Sequence, residues 1–412
     1  MNFIYNLLLF KVSILLRFIA LFNKKIKLFV DGRKQTFNKL NSIQKTDKVI
    51  WFHAASLGEF EQARPIIEAL KERYKNHKIV VTFFSPSGYE IRKNYNLADV
   101  VCYLPFDTKS NVKKFIDKIH PEIAIVIKYE FWPNLLSELK KQGIDTILIS
   151  GIFRKKQSFF KWHGSFMRNK LNAFNHFYLQ NKESKELLST IGFENTTIAG
   201  DTRFDRVHDI LKQNNSLDFI ADFKNKNYTI VAGSTWKEDE KLLVNYINNY
   251  ASADEKFIIA PHNINQKQIK ELQESINKKT ILYSEKEGKN LSENKVFIID
   301  TIGLLTKIYS YADVAYVGGG LATGLHNILE PATFGVPIVF GANKYKKFQE
   351  ATDLLKLGGA KTVVNKQEFT TIFTSFKNKK EFRTKLGSIN QKYISENIGA
   401  TKKIMDYIKK IL

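Results

Sequence analysis

Residues 312–341, ADVAYVGGGLATGLHNILEPATFGVPIVFG, hold the pattern from which the fold of this chain is predicted. The apolar run Val314–Val317 ends in three glycines, and a second apolar run follows at residues 337–340 after a loop and the segment HNILEP. A strand, a glycine turn, a short helix and a second strand in this order predict one α/β unit of a parallel sheet.

The three glycines, Gly318, Gly319 and Gly320, are the first candidate for a ligand site. Glycines after a strand let backbone N–H groups approach a phosphate, and a helix N-terminus beyond them favours negative charge. Glu330, in that helix, could accept hydrogen bonds from both hydroxyls of a ribose. A tight turn with a solvated Glu330 accounts for the glycines alone equally well. The attached HN and EP pairs make the pattern more specific.

A second candidate site follows the apolar strand KVIWFHA at residues 48–54. Ser56 and Gly58 lie in the turn after this strand, and a helix is predicted over residues 60–74. Glu59 would stand beside the N-terminus of that helix, at the carboxyl end of the strand, where open α/β sheets place their sites. A helix N-terminus also stabilises a carboxylate, so simple capping by Glu59 competes with catalysis.

The strand pattern continues along the chain and alternates with helical segments. Further strands are predicted at residues 79–84, 100–104, 123–127, 146–150, 176–180, 196–199, 229–232, 256–260 and 296–300. A length of 412 residues suits two domains of roughly 150–200 residues each. The polar segment at residues 213–227 is predicted to contain the boundary between them.

The composition limits the classes of function. The single cysteine, Cys102, excludes a disulfide framework and a cysteine zinc site, and it fits a reducing compartment. A net charge of +23 is compatible with nucleic acid, an anionic membrane or a phosphorylated substrate. No zinc-finger, RNP or basic-zipper pattern accompanies the lysines, which are spread along the whole chain.

Residues 1–22 are apolar and about long enough to span a bilayer. On a helix most of their polar side chains, with those just after them, form one narrow strip: Asn2, Asn6, Ser13, Arg17 and Lys24. Lys11 lies nearly opposite this strip and would have to extend its charge to the surface. This strip and the lysines that follow favour a helix lying in the headgroup region of a membrane. A single span and a soluble helix packed on the first domain are the alternatives. The basic and aromatic residues 154–170 suit a lipid headgroup, nucleic acid or a solvated helix.

The strings HAASLGE (residues 53–59) and HNILEP (residues 326–331) resemble the 3-deoxy-D-manno-octulosonic acid (Kdo) transferases. These GT-B glycosyltransferases move Kdo from CMP-Kdo onto lipid A precursors. Shorter matching blocks occur in the family's order, and the resemblance covers about residues 1–345. The chain departs from the family's pattern at Lys128, at Arg203 in place of lysine, at Trp236 where histidine is usual, and at Pro261-His262, which lacks an intervening arginine.

The resemblance implies a GT-B fold, that is, two Rossmann-like α/β domains with a cleft between them. A membrane-associated helix at residues 1–30 would precede an acceptor domain at residues 31–212 and a CMP-Kdo-binding domain at residues 213–412. The last helix is expected to pack back on the N-terminal domain.

The resemblance also implies the site residues, and it implies that no metal or cofactor is needed. Glu59 is expected to be the general base of an inverting transfer, with Ser56, Gly58, Glu130 and Arg203 binding the acceptor or supporting the base. A larger set is expected to bind the donor nucleotide: Ser234, Thr235, His262, Gly318, Gly319, Gly320, His326, Asn327 and Glu330.

The expected partners are CMP-Kdo, a lipid A precursor and the anionic surface of the inner membrane on its cytoplasmic face, with no nucleic acid. Three alternatives stay open. The chain could be another GT-B transferase or an epimerase that uses a UDP-sugar. It could be a membrane-attached nucleic-acid-binding protein, which would explain the charge but not the glycine unit or Glu59. It could also be an inactive scaffold.

Overall fold

The computed structural model describes residues 2–412, which form two compact units. Within the described residues, the first unit contains residues 2–206 and Asn397–Leu412, and the second contains Val207–Glu396. The chain therefore leaves the first unit slightly before the predicted boundary segment and returns to it with its last residues. Which substrate each unit binds stays a prediction.

The first unit is an α/β structure around a seven-stranded sheet. Its strands are β1 (Lys48–Ala54), β2 (His77–Phe83), β3 (Val100–Tyr103), β4 (Ile123–Ile127), β5 (Asp145–Gly151), β6 (His176–Leu179) and β7 (Thr196–Ile198). The helices up to the unit boundary are α1 (Asn2–Ile19), α2 (Lys24–Lys34), α3 (Thr36–Lys39), α4 (Leu57–Arg73), α5 (Pro86–Arg92), α6 (Lys109–Ile119), α7 (Pro133–Lys141), α8 (Ser165–Leu171), α9 (Lys182–Ser189) and α10 (Thr202–Ile210).

The strands of this sheet are parallel and run in the order β3-β2-β1-β4-β5-β6-β7. The order reverses between β1 and β4, so the carboxyl ends of these two strands border the crevice in which open α/β sheets bind ligands. The strands are apolar runs because both faces of the sheet are covered. Trp51 packs into one core cluster and its neighbour Phe52 into the other, and Cys102 is buried as predicted.

Helix α1 is joined to the first unit through its polar side. The Tyr5 hydroxyl donates to the Asp107 carboxylate at 2.7 Å, and the Asn134 amide donates to the side-chain oxygen of Asn6 at 2.8 Å. Asp107 is buried and also accepts from the backbone N–H groups of Asn134 and Leu135, at 3.0 and 2.8 Å. No residue described in α1 is buried, and most of its apolar side chains are exposed.

Helix α2 is packed more closely. Asn23 caps it by accepting from two backbone N–H groups. The buried Arg33 guanidinium lies 3.6 Å from the centroid of the Phe29 ring and donates to the carbonyl oxygens of Phe29 and Phe84, at 2.8 and 2.7 Å. Aromatic faces and carbonyl oxygens therefore take the place of a carboxylate around this buried cation.

The second unit is also built on a seven-stranded sheet. Its strands are β8 (Tyr228–Thr235), β9 (Glu255–Pro261), β10 (Thr280–Leu282), β11 (Val296–Ile298), β12 (Val314–Val317), β13 (Ile338–Gly341) and β14 (Ala360–Val363). Its helices are α11 (Asp218–Lys224), α12 (Lys237–Asn249), α13 (Gln266–Glu274), α14 (Leu305–Ile308), α15 (Leu329–Thr333), α16 (Gln349–Leu357), α17 (Lys366–Asn378) and α18 (Lys380–Glu396). Short 3-10 turns lie at Leu40–Ser42, Ser158–Phe160, Tyr283–Glu285, Leu291–Glu293 and Tyr309–Tyr311.

This second sheet is parallel in the order β10-β11-β9-β8-β12-β13-β14, and its order reverses between β8 and β12. The GST segment therefore forms the carboxyl end of β8, and the three glycines follow β12, at the two strands that border the second crevice. The segment at residues 213–227 is not a plain linker, because it contains α11.

The last helix, α19 (Ala400–Ile408), belongs to the first unit. Its buried side chains Ala400, Ile404 and Ile408 join the core cluster that α4 covers. The Asp205 carboxylate fixes its start by accepting from the N–H groups of Gly399 and Thr401, at 2.5 and 2.7 Å.

Candidate active site

Glu59 lies in the first turn of α4, in the crevice of the first unit. The helix begins at Leu57, earlier than predicted, because Ser56 has the extended backbone of an N-cap residue. The Glu59 carboxylate accepts a hydrogen bond of 2.5 Å from the backbone N–H of Ala55, which closes the turn after β1. Its place at the switch point agrees with the prediction from sequence.

The pKa of the Glu59 carboxyl is raised above its ordinary value. Burial is the main cause, and the neighbouring Glu130 carboxylate adds to it, while the Ala55 N–H, Lys128 and His53 partly offset the rise. Desolvation and a like charge both disfavour the ionised form, which makes the carboxylate a better proton acceptor once it is ionised.

Glu130 follows β4 and is buried beside this site. One of its carboxylate oxygens accepts from the Trp132 indole N–H at 2.7 Å and lies 3.1 Å from Nε2 of His53. The other imidazole nitrogen of His53, which is fully buried, lies 2.9 Å from the Thr82 hydroxyl. Neither His53 nor Trp132 was among the expected site residues, but both side chains contact this carboxylate.

Lys128 stands where β4 ends, with φ of +60°. A residue other than glycine rarely adopts this left-handed conformation, and such strain tends to occur at functional sites. Its charge helps to lower the pKa of the Asp201 carboxyl, and it partly offsets the rise in the pKa of Glu59. The replacement of the family's first acid by Lys128 therefore puts a cation into a site with several carboxylates.

Arg203 was expected to bind the acceptor or to support the base. In the structure its Nη2 and Nε atoms donate to the Asp201 carboxylate, at 2.8 and 3.0 Å. Asp201 is buried and also accepts from the side-chain amides of Gln62 and Gln180. Arg203 provides the cation that a buried carboxylate needs, and its expected part in binding the acceptor or supporting the base stays a prediction. No sequence signal had marked Asp201.

Ser56 and Gly58 border Glu59 on the same turn. The Ser56 side chain is half-buried and makes no capping hydrogen bond to the helix. Gly58 is exposed, and a Cβ atom on it would meet no atom within 4 Å. Packing within the unit therefore does not require glycine at this position, which leaves open space beside the carboxylate.

In the second unit the three glycines are required by packing. A Cβ on Gly318 would overlap the carbonyl oxygen of Ser234, and one on Gly320 would overlap that of Gly341. Gly319 has φ of +87°, and its Cβ would overlap the carbonyl oxygen of Gly324. The glycines thus let the ends of β8, β12 and β13 approach one another.

The predicted role of these glycines as a phosphate cradle is corrected for two of the amides. The N–H of Gly318 donates to the Gly233 carbonyl, and that of Gly319 donates to the Asp239 carboxylate, both at 2.9 Å. The next helix, α15, begins only at Leu329, so the glycine turn does not lie at a helix N-terminus. Glu330 is the second of the five residues of α15.

Asp239 was not marked by the sequence, although it lies in the first turn of α12. It is 1% exposed and accepts from three donors: the backbone N–H of Trp236 at 2.9 Å, that of Gly319, and the Tyr316 hydroxyl at 2.7 Å. The neighbouring Ser234 has a left-handed backbone with φ of +53°. Asp239 therefore holds the GST turn to the glycine turn.

The side chains of Thr235, Asn327 and Glu330 each make hydrogen bonds within the second unit. The Thr235 hydroxyl donates to Glu240 at 3.1 Å. One oxygen of Glu330 accepts from the Asn327 amide at 3.0 Å, and the other accepts from the Thr306 hydroxyl at 2.8 Å. Thr306 had not been predicted. Each Glu330 oxygen keeps a further lone pair with which it can accept a bond from a ligand hydroxyl.

His262 and His326, from separate segments, meet in one stack of rings with Trp236. The centroids of Trp236 and His262 are 4.7 Å apart, and those of His262 and His326 are 4.4 Å apart. Two of the departures from the family pattern, Trp236 and the Pro261-His262 pair, thus occur together in space. Within residues 2–412 no three His, Cys, Asp or Glu side chains are grouped so that they could hold a metal ion.

Comparison with known proteins agrees with the resemblance. A family described as "3-Deoxy-D-manno-octulosonic-acid transferase (kdotransferase)" matches residues 31–206. The 3-deoxy-D-manno-octulosonic acid transferase of Aquifex aeolicus is 28% identical over 349 residues, which are 83% of this chain and 89% of that protein. A bifunctional glycosyltransferase/methyltransferase of Fusobacterium nucleatum is 26% identical over 93% of this chain, which spans only 60% of that protein.

Among solved structures, the UDP-GlcNAc 2-epimerase from Neisseria meningitidis bound to UDP-GlcNAc covers 88% of this chain and 100% of its own, with a TM-score of 0.60 and 17% identity. This likeness concerns the fold alone, and the two parallel sheets of seven strands are those of the GT-B class. The family match over residues 31–206 and the similarity over most of the chain show that this chain resembles the 3-deoxy-D-manno-octulosonic acid transferases, which are glycosyltransferases.

Proposed function

We propose that this protein transfers Kdo from CMP-Kdo to a hydroxyl group of a lipid A precursor, with inversion at the anomeric carbon. The observation that carries the proposal is the half-buried Glu59 carboxylate, which has a raised pKa and lies at the switch point of the first unit. A base of raised pKa is what the removal of a proton from a sugar hydroxyl requires.

The reaction is proposed to occur in one displacement. The acceptor oxygen attacks the anomeric carbon of Kdo while Glu59 takes its proton. The bond from that carbon to the phosphate oxygen breaks, and CMP leaves with the electron pair. Glu130 supports the base by its negative charge, and His53 and Trp132 hold Glu130 in place.

The second unit is proposed to bind the donor nucleotide. Asn327 and Glu330 are hydrogen-bonded to each other, which orients the carboxylate for the hydroxyls of the cytidine ribose. Since the amides of Gly318 and Gly319 are already paired, side chains rather than these amides are proposed to stabilise the phosphate. Ser234 and His326 are the candidates for this task.

The test is an assay in which CMP-Kdo is generated in place and a tetra-acylated lipid A precursor is the acceptor. We expect mass spectrometry to show addition of Kdo by the wild type and none by Glu59→Ala. CMP should inhibit the reaction more strongly than UDP. Stronger inhibition by UDP, or transfer from a UDP-sugar, would return the donor to the alternative class of UDP-sugar enzymes.

We further propose that α1 lies in the membrane interface rather than across the bilayer. Its length and composition fit a span, which by itself is weak evidence. However, Tyr5 and Asn6 are bonded to the body of the first unit, and such contacts are lost if the helix crosses a bilayer. Phe3 and Phe22, near the two ends of the apolar surface, are each 79% exposed.

Trp162 offers a second contact with the same membrane. It is 92% exposed in the loop before α8, beside Lys161, and α8 touches α1 through Phe166 and Tyr5, whose ring centroids are 6.4 Å apart. Exposed tryptophan next to basic residues is typical of the membrane interface. This favours the lipid-headgroup interpretation of residues 154–170 over nucleic acid.

Thiol labelling separates the two membrane arrangements, because Cys102 is buried and is the sole cysteine of the sequence. Cysteines introduced at Asn2 and at Asn23 should both react with a membrane-impermeant maleimide on inside-out vesicles. If Asn2→Cys reacted only from the opposite side while Asn23→Cys reacted as expected, the helix would span the membrane and the interfacial arrangement would be wrong.

A further inference from the structure

The indole N–H of Trp236 makes a hydrogen bond to a ligand-site candidate, His326. The donor atom Nε1 of Trp236 lies 3.0 Å from Nε2 of His326, and the two rings are almost parallel at 9°. His262 stacks on both rings. The main chain of His326 is fixed as well, since its N–H donates to the carbonyl oxygen of Gly318.

This hydrogen bond sets the protonation of the imidazole. An indole nitrogen can only donate, so Nε2 of His326 must accept. A neutral imidazole that accepts at Nε2 carries its proton on Nδ1, and an imidazolium, with a proton on each nitrogen, has no acceptor to offer. Among residues 2–412 no acceptor is found for this Nδ1–H. It is therefore a donor in a fixed direction that is left to a ligand.

We propose that Trp236 is a positioning residue for donor binding: it holds His326 as the Nδ1–H tautomer, whose N–H binds an anionic oxygen of the sugar nucleotide. The proposal rests on the proposed function, because it takes the second unit as the donor site. Trp236 stands where the family usually has histidine, which can either donate or accept. This chain thus fixes a tautomer that the usual residue leaves free.

The surroundings agree with a neutral imidazole. Burial, and then the neighbouring His262, lower the pKa of His326 to about 4. Burial also lowers the pKa of His262. The nearby Asp239 carboxylate faces backbone N–H groups and Tyr316 rather than the imidazole. The donor must therefore be bound by a neutral N–H, and its affinity should not rise between pH 8 and pH 5 through His326.

The first experiment reads the tautomer directly, by ¹⁵N chemical shifts of the histidine rings in the full-length protein. The wild type should show one neutral form of His326 with the proton on Nδ1. Trp236→Phe keeps an aromatic ring in the stack but removes the donor, so both tautomers should appear. A wild-type His326 with its proton on Nε2, or an unchanged spectrum in Trp236→Phe, would overturn the proposal.

The second experiment measures CMP binding in a double-mutant cycle. Trp236→Phe should weaken CMP about two- to fivefold, because only a fraction of the imidazoles then has the competent tautomer. The same substitution should change nothing when His326 is already Ala. His326→Asn, whose amide N–H can stand near the position of Nδ1, should bind CMP equally well with Trp or Phe at residue 236. An equal loss in the His326→Ala background would show that Trp236 acts only by stacking, and it would overturn the proposal.

The choice of ligand separates this proposal from the proposed function. If the N–H of His326 binds the phosphate, the affinity for cytidine should not change in Trp236→Phe. If only the affinity for CMP-Kdo fell, the N–H would bind the Kdo carboxylate instead. If wild-type protein bound no cytidine nucleotide, the donor role would fail, both here and in the proposed function. The tautomer spectrum would still decide whether Trp236 sets the state of His326.

Discussion

Glu59 and Asp239 hold the same topological place in the two units, yet their surroundings differ. Each is the third residue of the helix that follows the strand at the switch point, and burial raises the pKa of each. Asp239 is almost inaccessible and accepts from three donors. Glu59 accepts from one backbone N–H and has the Glu130 carboxylate as a neighbour.

The difference shows how one position in an α/β unit can serve structure or chemistry. A carboxylate whose oxygens are saturated by internal donors joins two turns and has little capacity left for a substrate. A carboxylate with one donor, a like charge nearby and open space beside it at Gly58 keeps its capacity to take a proton. The count of internal donors therefore separates the two roles better than burial or pKa direction does.

The largest effect is expected for Glu59→Gln. Transfer of Kdo should fall by about 10²–10⁴-fold, since a general base contributes on this scale. The thermal unfolding temperature should stay the same or rise, because the substitution removes a carboxylate that is costly to keep ionised in its half-buried site. Turnover and calorimetry on one preparation check both statements. A large loss of stability would mean that Glu59, like Asp239, has a structural role.

Asp239→Asn, in contrast, should lower the stability of the protein. An amide offers one acceptor oxygen and places an N–H₂ group against donors, so the free energy of unfolding should fall by about 3 kcal/mol. Denaturant unfolding measures this, with the exposed neighbour Glu238→Gln as the matched control. If Asp239→Asn were as stable as the control but inactive, the Asp239 carboxylate would have a chemical role, and the two carboxylates would not differ as described above.

Two glycine substitutions sharpen the contrast at the level of the backbone. Gly319→Ala introduces a side chain at a left-handed residue against a carbonyl oxygen, and it should destabilise the protein by at least about 2 kcal/mol. Gly58→Ala meets no atom of its own unit, so it should be neutral or stabilising by up to about 1 kcal/mol. Activity of Gly58→Ala should nevertheless fall if the acceptor occupies that space. A fully active Gly58→Ala would remove Gly58 from the acceptor site.

The smallest effect concerns pH. Burial is the main cause of the raised pKa of Glu59 and the Glu130 charge adds to it, so Glu130→Gln should lower that pKa without bringing it to the ordinary value. Activity requires the ionised base, so the acid limb of the kcat/KM profile should move to lower pH. A limb that stayed in place would mean that Glu130 does not act through Glu59.

The sheets were predictable because their strands are apolar on both faces. Both ends of β1, β4 and β12 were predicted, and the other predicted strands differ at one or both ends. The two strands that were missed, β10 and β14, are the two edges of the second sheet. Each is short, and Lys361 of β14 points to solvent, because an edge strand needs no continuous apolar run.

The candidate site was predictable only where a residue's place follows from the strand that precedes it. Glu59 and Glu130 come directly after strands, and the structure finds both at the switch point. Asp239 and Thr306 contact site residues that are distant in sequence, so no local pattern marks them. Asp201 lies two residues before Arg203, but its other donors, Gln62 and Gln180, come from distant segments. The N–H of Gly319 donates to Asp239 and is therefore not free for a phosphate, and the glycines alone do not predict this bond.

The packing of α2 determines how a soluble form of this enzyme should be made. The family match begins at residue 31, which suggests removing everything before it. That cut would also remove Phe29, whose ring and carbonyl oxygen contact the buried guanidinium of Arg33, and leave a cation with fewer partners in the core. Starting the chain at Asn23 would discard the apolar α1 and keep both the helix cap and the aromatic surroundings of Arg33. The shortest well-folded, detergent-free version should therefore begin there.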